Sequence, residues 1–142
     1  MPSVRICIDV DDLERGIAFY TRAFGLEVAR RLGDDGVELL GAPTPIDLLV
    51  RRAGTVASPN GSPLRDYARH WTPLHLDFEV ERLEDAMKRA LSAGATLERE
   101  IQVQAWGRMA NMADPFGHGF CLLEFKGRGY DEIVPPAPDD EA

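Results

Sequence analysis

The sequence predicts an α+β protein built from two copies of one β-α-β-β-β unit. Three observations support this. Val4, Ile6, Ile8 and Val10 alternate with Arg5, Cys7 and Asp9, the period of a half-buried strand, and a helix-spaced stripe of Leu13, Ile17, Tyr20 and Phe24 follows at once. The same two patterns restart at Leu74, where an offset of 70 superposes Arg5 on His75, Val10 on Val80, Leu13 on Leu83 and Ile17 on Met87. An offset of 74 then lays Ile46-Asp47-Leu48-Leu49 on Phe120-Cys121-Leu122-Leu123. Internal repetition is a fold-level signal that outranks any single motif.

The elements follow in order. Val4–Val10 is the first strand. Asp11 with Glu14 three residues on forms a capping-box-like helix start, and Gly25 supplies the stop. Gly16 lies on the helix's apolar stripe at a cost of about 1 kcal/mol against alanine. Close approach of helix to sheet accounts for it, and Ala86 repeats the small residue in the second unit. Leu26–Leu32, Val37–Gly41 and Ile46–Arg51 read as strands, with Gly33-Asp34-Asp35-Gly36 as a hairpin turn. The stretch 53–72 is rich in Gly, Pro and Ser and long for a loop inside a compact domain, as linkers and functional lids are; Leu64–Trp71 has room for one or two helical turns. Leu74–Val80 restarts the pattern, Leu83, Ala86, Met87, Ala90 and Leu91 form the second helix stripe, and Gly94 ends it. Leu97–Val103 and Trp106–Met112 read as strands. Asp114-Pro115-Phe116-Gly117 is a tight turn feeding the last strand, Phe120 to Phe125. The predicted organisation is one domain over 1–126, with module one at about 3–52, the loop at 53–72 and module two at about 73–126. The acidic, proline-rich tail 127–142 is expected to be disordered, with Tyr130, Ile133 and Val134 able to dock.

Composition excludes several classes. The 142 residues hold 16 basic and 24 acidic side chains, a formal charge of -8. That balance disfavours nucleic acid and anionic membrane surfaces as partners. No apolar run approaches the ~20 residues of a membrane span, and the first residues lack signal-peptide features. Cys7 and Cys121 do not make a disulfide framework, so a cytoplasmic protein with free thiols is expected.

The DP-G turn with its apolar strand, together with the doubled β-α-β-β-β pattern over about residues 4 to 126, resembles the vicinal oxygen chelate (VOC) superfamily. That group includes glyoxalase I, extradiol dioxygenases, fosfomycin-resistance enzymes and bleomycin-resistance binding proteins. The resemblance implies a curved, half-open barrel-like mixed sheet with helices outside. In metal-dependent members each module contributes two ligands, one from its first strand and one from its last, usually His or Glu. Carried over residue by residue, those positions here are Arg5 and Asp47 in module one and His75 and Cys121 in module two. Arg5 has no free lone pair and repels a cation, so a bidentate pair with Asp47 is the better use of both groups. No metal cofactor is therefore expected; Asp47, His75 and Cys121 remain as a three-donor set that zinc alone would accept.

Other residues carry weaker signals. Trp71 and Trp106 flank strand starts and suit a flat ligand, and Asp77 joins the expected pocket of Arg5, Asp47, His75, Cys121, Trp71 and Trp106. Asp9 and Glu79 read equally as solvated charges or pocket groups. His118 reads as an exposed turn residue, and His70 has no identifiable partner. The expected function is small-molecule binding, similar to the bleomycin-resistance branch, whose members are homodimers that sequester drugs without modifying them. The alternative is a metal-dependent enzyme resembling glyoxalase I or an extradiol dioxygenase, with Asp77 or Glu79 as base. A metal-free enzyme with His75 as base and Arg5 as oxyanion clamp is a third reading.

Overall fold

A computed structural model describes residues 1–138. Its order is β1 (Ile6–Val10), α1 (Leu13–Phe24), β2 (Glu27–Leu32), β3 (Gly36–Leu40), β4 (Ile46–Val50), β5 (Leu76–Glu79), α2 (Leu83–Ala93), β6 (Thr96–Leu97), β7 (Gln102–Gln104), β8 (Gly107–Ala113) and β9 (Gly119–Phe125). The doubled β-α-β-β-β pattern is therefore present. β1 pairs parallel with β4, as β5 does with β9, while the other pairings are antiparallel. The sheets are mixed but separate: β1-β4-β3-β2 forms one, and β5-β9-β8-β6 with β7 forms the other. The two repeat offsets are visible in the register, since Cys7 lies opposite Asp47 and Asp77 opposite Cys121.

Each sheet turns one face to the helices. Val10, Leu48, Val37 and Leu39 are buried against α1, whose Phe19, Tyr20 and Ala23 are also buried. Gly16 sits where the repeat argument places it: a Cβ there would meet Leu48 Cδ1 at 3.2 Å and Val10 Cγ1 at 3.3 Å. The module-two core adds Leu83, Ala90, Met112, Phe120 and Leu122. Phe24 of α1 stacks on Phe78 of β5 at 3.9 Å between centroids, so the two modules share one core.

Several boundaries differ from the sequence reading. The N-cap of α1 is Asp12, which accepts from Arg15 N at 3.0 Å, rather than Asp11. Arg82 caps α2 without a side-chain bond; Glu124 of β9 reaches across and accepts from Leu83 N at 2.7 Å. The expected strand Leu97–Val103 is two short strands, split at the consecutive charges Glu98-Arg99-Glu100. Leu64–Trp71 forms no helical turn: the segment holds an isolated bridge between Val56 and Leu64. The tail is ordered at first, with a 3-10 turn at Gly129–Ile133 whose Tyr130 packs against Phe125 and Trp106; residues 139–142 lie outside the described residues.

The turn before β9 is held from inside. Asp114 is buried and its Oδ1 accepts from Phe116 N at 2.8 Å and His118 N at 2.9 Å. Its Oδ2 accepts from the Tyr20 hydroxyl at 2.5 Å, which joins α1 to the module-two turn. Tyr20→Phe removes that donor from a charged, buried acceptor. The expected loss is about 1.5–3 kcal/mol, read as a fall of several degrees in thermal midpoint by circular dichroism.

Candidate functional site

Opposite the helix-packed faces, each sheet presents the polar alternates of its strands. On module one these are Cys7 and Asp9 of β1, Asp47 and Leu49 of β4, and Glu38 and Leu40 of β3, with Cys7, Asp47 and Glu38 in one cross-strand row. Arg5 extends the β1 alternation. Its Nε and Nη2 donate to the two oxygens of Asp47 at 3.0 and 2.7 Å, the expected bidentate pair. Nη2 also donates to Glu38 Oε2 at 2.6 Å. Arg30 of β2 adds a second bidentate contact to Glu38, both bonds at 2.8 Å. The two guanidiniums, Arg30 before Arg5, hold the Glu38 carboxyl down at about 2. Glu38 and Arg30 escaped the sequence reading, although a lone charge inside the apolar run Val37-Glu38-Leu39-Leu40 was a usable signal.

On module two the equivalent row is Asp77, Cys121 and Asn111. His75 Nε2 lies 3.2 Å from Asp77 Oδ1. Donor atoms of His75, Asp77 and Cys121 all fall within 4.8 Å of one another. Asp47, by contrast, is committed to Arg5. Cys121 is buried, and burial followed by the Asp77 charge pushes its thiol up to about 11. Asn111 Nδ2 points at its Sγ from 3.3 Å, and Gln102 Nε2 donates to Asn111 Oδ1 at 2.8 Å. A protonated thiol beside one imidazole and one carboxylate is a poor match for oxygen-preferring Mn or Mg. Zinc, which displaces thiol protons, fits this donor set.

The two tryptophans occupy opposite ends of module two. Trp71 lies 4.9 Å from the His75 ring and 5.0 Å from the Arg69 guanidinium, which pairs with Glu98. A Cβ at Gly119 would run into the Trp71 ring, so that glycine seats the indole. Trp106 packs with Phe125 and Tyr130. His118 is half-buried, its Nε2 2.7 Å from the Asp9 carbonyl, which corrects the exposed-turn reading. The loop crosses between modules: Arg65 pairs with Asp9 at 2.9 Å and Tyr67 donates to Arg51 O at 2.6 Å. His70 remains exposed, with Nδ1 near Ala68 O. Cys7 is an exposed free thiol.

Two cavities lie between the modules. The larger, about 940 Å³, has an apolar floor including Phe24, Ile46, Phe78 and Leu122, and Asp77, Glu79 and Tyr130 on its wall. The smaller, about 300 Å³, is lined by Cys7, Asp9, His75 and His118 among others, between β1 and β5.

Comparison with known proteins places this geometry. A glyoxalase-like domain family matches residues 5–123. The uncharacterised protein Mb0911c of Mycobacterium bovis is 31% identical over 125 residues, covering 85% of this chain and 82% of its own length. Rv0887c of Mycobacterium tuberculosis is 31% identical over the same length, with 85% and 73% covered. The fosfomycin resistance protein FosX of Listeria monocytogenes has a similar fold, with TM-score 0.68, 20% identity, and 94% and 98% of the two chains covered. A mutant of FosX crystallised with Mn(II) and 1S,2S-dihydroxypropylphosphonic acid gives TM-score 0.67 at 21% identity, covering 89% and 93%. A glyoxalase-related enzyme of Fulvimarina pelagi gives 0.68 at 19%, covering 87% and 88%.

The depressed carboxyls set an acid limit. Glu38, and Glu84 beside Arg108, both titrate at about 2 against an ordinary 4.5. Their stabilisation is complete above about pH 4.5 and is lost as pH falls toward 2. Thermal midpoints measured down this range should fall, and less so in Glu38→Gln, whereas Glu84→Gln should change the profile little because Glu84 is 62% exposed and solvent screens its pair with Arg108.

Proposed function

The chain belongs to the glyoxalase-like domain family of the VOC superfamily, and from that premise we propose that it binds a small organic molecule without the family's four-position metal centre. One observation carries the reading. Arg5, which the family resemblance puts at a ligand position, is tied by two bonds to Asp47, the other module-one position on that resemblance, and by a third to Glu38. A permanent cation with no lone pair fills the place where a metal ion would need donors. The apolar floor of the larger groove, with Phe24 and Phe78, suits the body of an organic ligand, while its wall carries Asp77 and Glu79. The working unit on this reading is a homodimer, in line with the bleomycin-resistance branch.

A second reading is favoured by the module-two cluster. His75, Asp77 and Cys121 would hold a zinc ion, which supplies Lewis-acid chemistry when bound. Asn111 would keep Sγ oriented, and Glu79, two residues along the same face from Asp77, would accept a proton from substrate. The protein would then be an enzyme similar to glyoxalases or dioxygenases.

Elemental analysis separates the two. After incubation with Zn, Ni, Mn or Fe(II) and exhaustive dialysis, the first reading expects no stoichiometric metal. Retention of one ion per chain, abolished in His75→Ala, would overturn it in favour of the second. On the first reading, planar aromatic compounds should quench tryptophan emission saturably, with Trp71→Phe and Trp106→Phe assigning the signal.

A further inference from the structure

The module-one network is layered, and the layering has a direction. Glu38 and Asp47 lie beneath, with side chains 5% and 14% exposed, while Arg5 and Arg30 above them are 45% and 68% exposed. Each guanidinium spends Nε and Nη2 on the carboxylates below. The Nη1 groups of both have no protein acceptor among the described residues. Leu40 and Leu49 share this face by strand alternation, and Leu40 is 42% exposed.

From this arrangement we propose that the open face of module one recognises a small organic carboxylate with an apolar body, through the Nη1 groups of Arg5 and Arg30. The inference rests on the small-molecule-binding reading and names a ligand class for it, at a face separate from the apolar groove, whose lining includes neither Arg5 nor Arg30. Two guanidiniums held in place by buried carboxylates are pre-organised: their side-chain entropy is already lost in the folded protein, so an anion that docks on them does not bear that cost. Glu38 and Asp47 lie beneath and are saturated by the same guanidiniums, while Glu27, opposite Leu40 on β2, is an exposed carboxylate on this face, so the anionic head must sit over the arginines and away from Glu27. Asp9, farther along β1, is paired with Arg65. The net charge of -8 acts over distances that salt screens to about 8–10 Å, whereas the Nη1 donors act at contact. Leu40, on the Arg5 side of the Glu38–Asp47 row, gives the body of the ligand an apolar contact, while Leu49 lies beyond the row on the other side. Because the four-residue network is neutral, affinity should be modest, with a dissociation constant on the order of 1 mM for a minimal probe.

Benzoate and its neutral isostere benzamide are the probes. Titration of ¹⁵N-labelled full-length protein should show benzoate moving the amides of Arg5, Arg30, Glu38 and Asp47, with the Nε–H resonances of both arginines, while benzamide leaves them in place. Arg5→Gln and Arg30→Gln should each weaken benzoate binding about tenfold. Arg30→Gln leaves Glu38 bonded to Arg5, so it tests the idea even if Arg5→Gln unfolds the sheet. Equal binding of benzamide, or benzoate binding indifferent to both variants, overturns anion recognition and leaves small-molecule binding standing. Silence from both probes at roughly 20 mM, well above the expected constant, overturns anion recognition too. In that case saturable quenching by the aromatic compounds decides separately whether binding itself survives.

Discussion

The Asp114 carboxylate is buried and both of its oxygens are in use. Two backbone N–H groups of the following turn occupy one oxygen, and the hydroxyl of Tyr20, from the other module's helix, occupies the second. A buried charge with this many donors fixes everything attached to it, because any rearrangement leaves it under-satisfied at a cost of several kcal/mol. The turn can lead β9 in one direction only, and β9 carries Cys121 into line with Asp77. His118, two residues before Phe120, makes a second tie through the Asp9 carbonyl of β1. The two sheets share no backbone hydrogen bond, so their relative placement rests on the packing of α1 against α2 and the common apolar core, pinned by the Asp114 carboxylate, the His118 imidazole and the contacts of Phe24 with Phe78 and Phe120. Tyr20 must stay protonated to donate, and burial, then the Asp114 charge, pushes its phenol well up, so it does.

Most of this fold was legible because the repeat is written in side-chain period. Alternation gave the faces, Gly16 marked the close helix–sheet contact, and the offsets of 70 and 74 reproduced the parallel registers of β1 with β4 and β5 with β9. What escaped was whatever depends on partners remote in sequence. Asp11 and Asp12 are equivalent by composition, and only the entry angle of the chain selects Asp12 as the cap. His118 looks like a turn residue until β1 passes beneath it. Tyr130 lies in a stretch whose composition suggests disorder, yet Phe125 and Trp106 give it an aromatic seat. The Arg5–Asp47 pair was legible from chemistry, while Arg30 and Glu38 needed the β2–β3 register to bring them in.

The two modules put unlike chemistry on like positions. Cys7, Asp47 and Glu38 form the row in module one; Asp77, Cys121 and Asn111 form its counterpart in module two. In module one the row is charged and two arginines saturate it, so its carboxylates are spoken for and its outward surface is guanidinium. In module two the row is a carboxylate, a protonated thiol and an amide beside an imidazole, with no arginine to neutralise it. A cation approaching module one meets positive charge in front of Glu38 and Asp47. An anion approaching module two meets Asp77 and Glu79.

The two halves therefore differ in charge more than in backbone. The apolar groove between the modules is common to both, with Ile6 and Ile46 from one side and Leu76 and Phe78 from the other. Backbone repetition supplies two equivalent cross-strand rows, and the residues on their polar alternates set the charge each row presents. A guanidinium on this row brings a fixed positive charge and directed donors of its own. Module one thus presents a cation built from its own chain, with Glu38 and Asp47 as the struts that hold it in place.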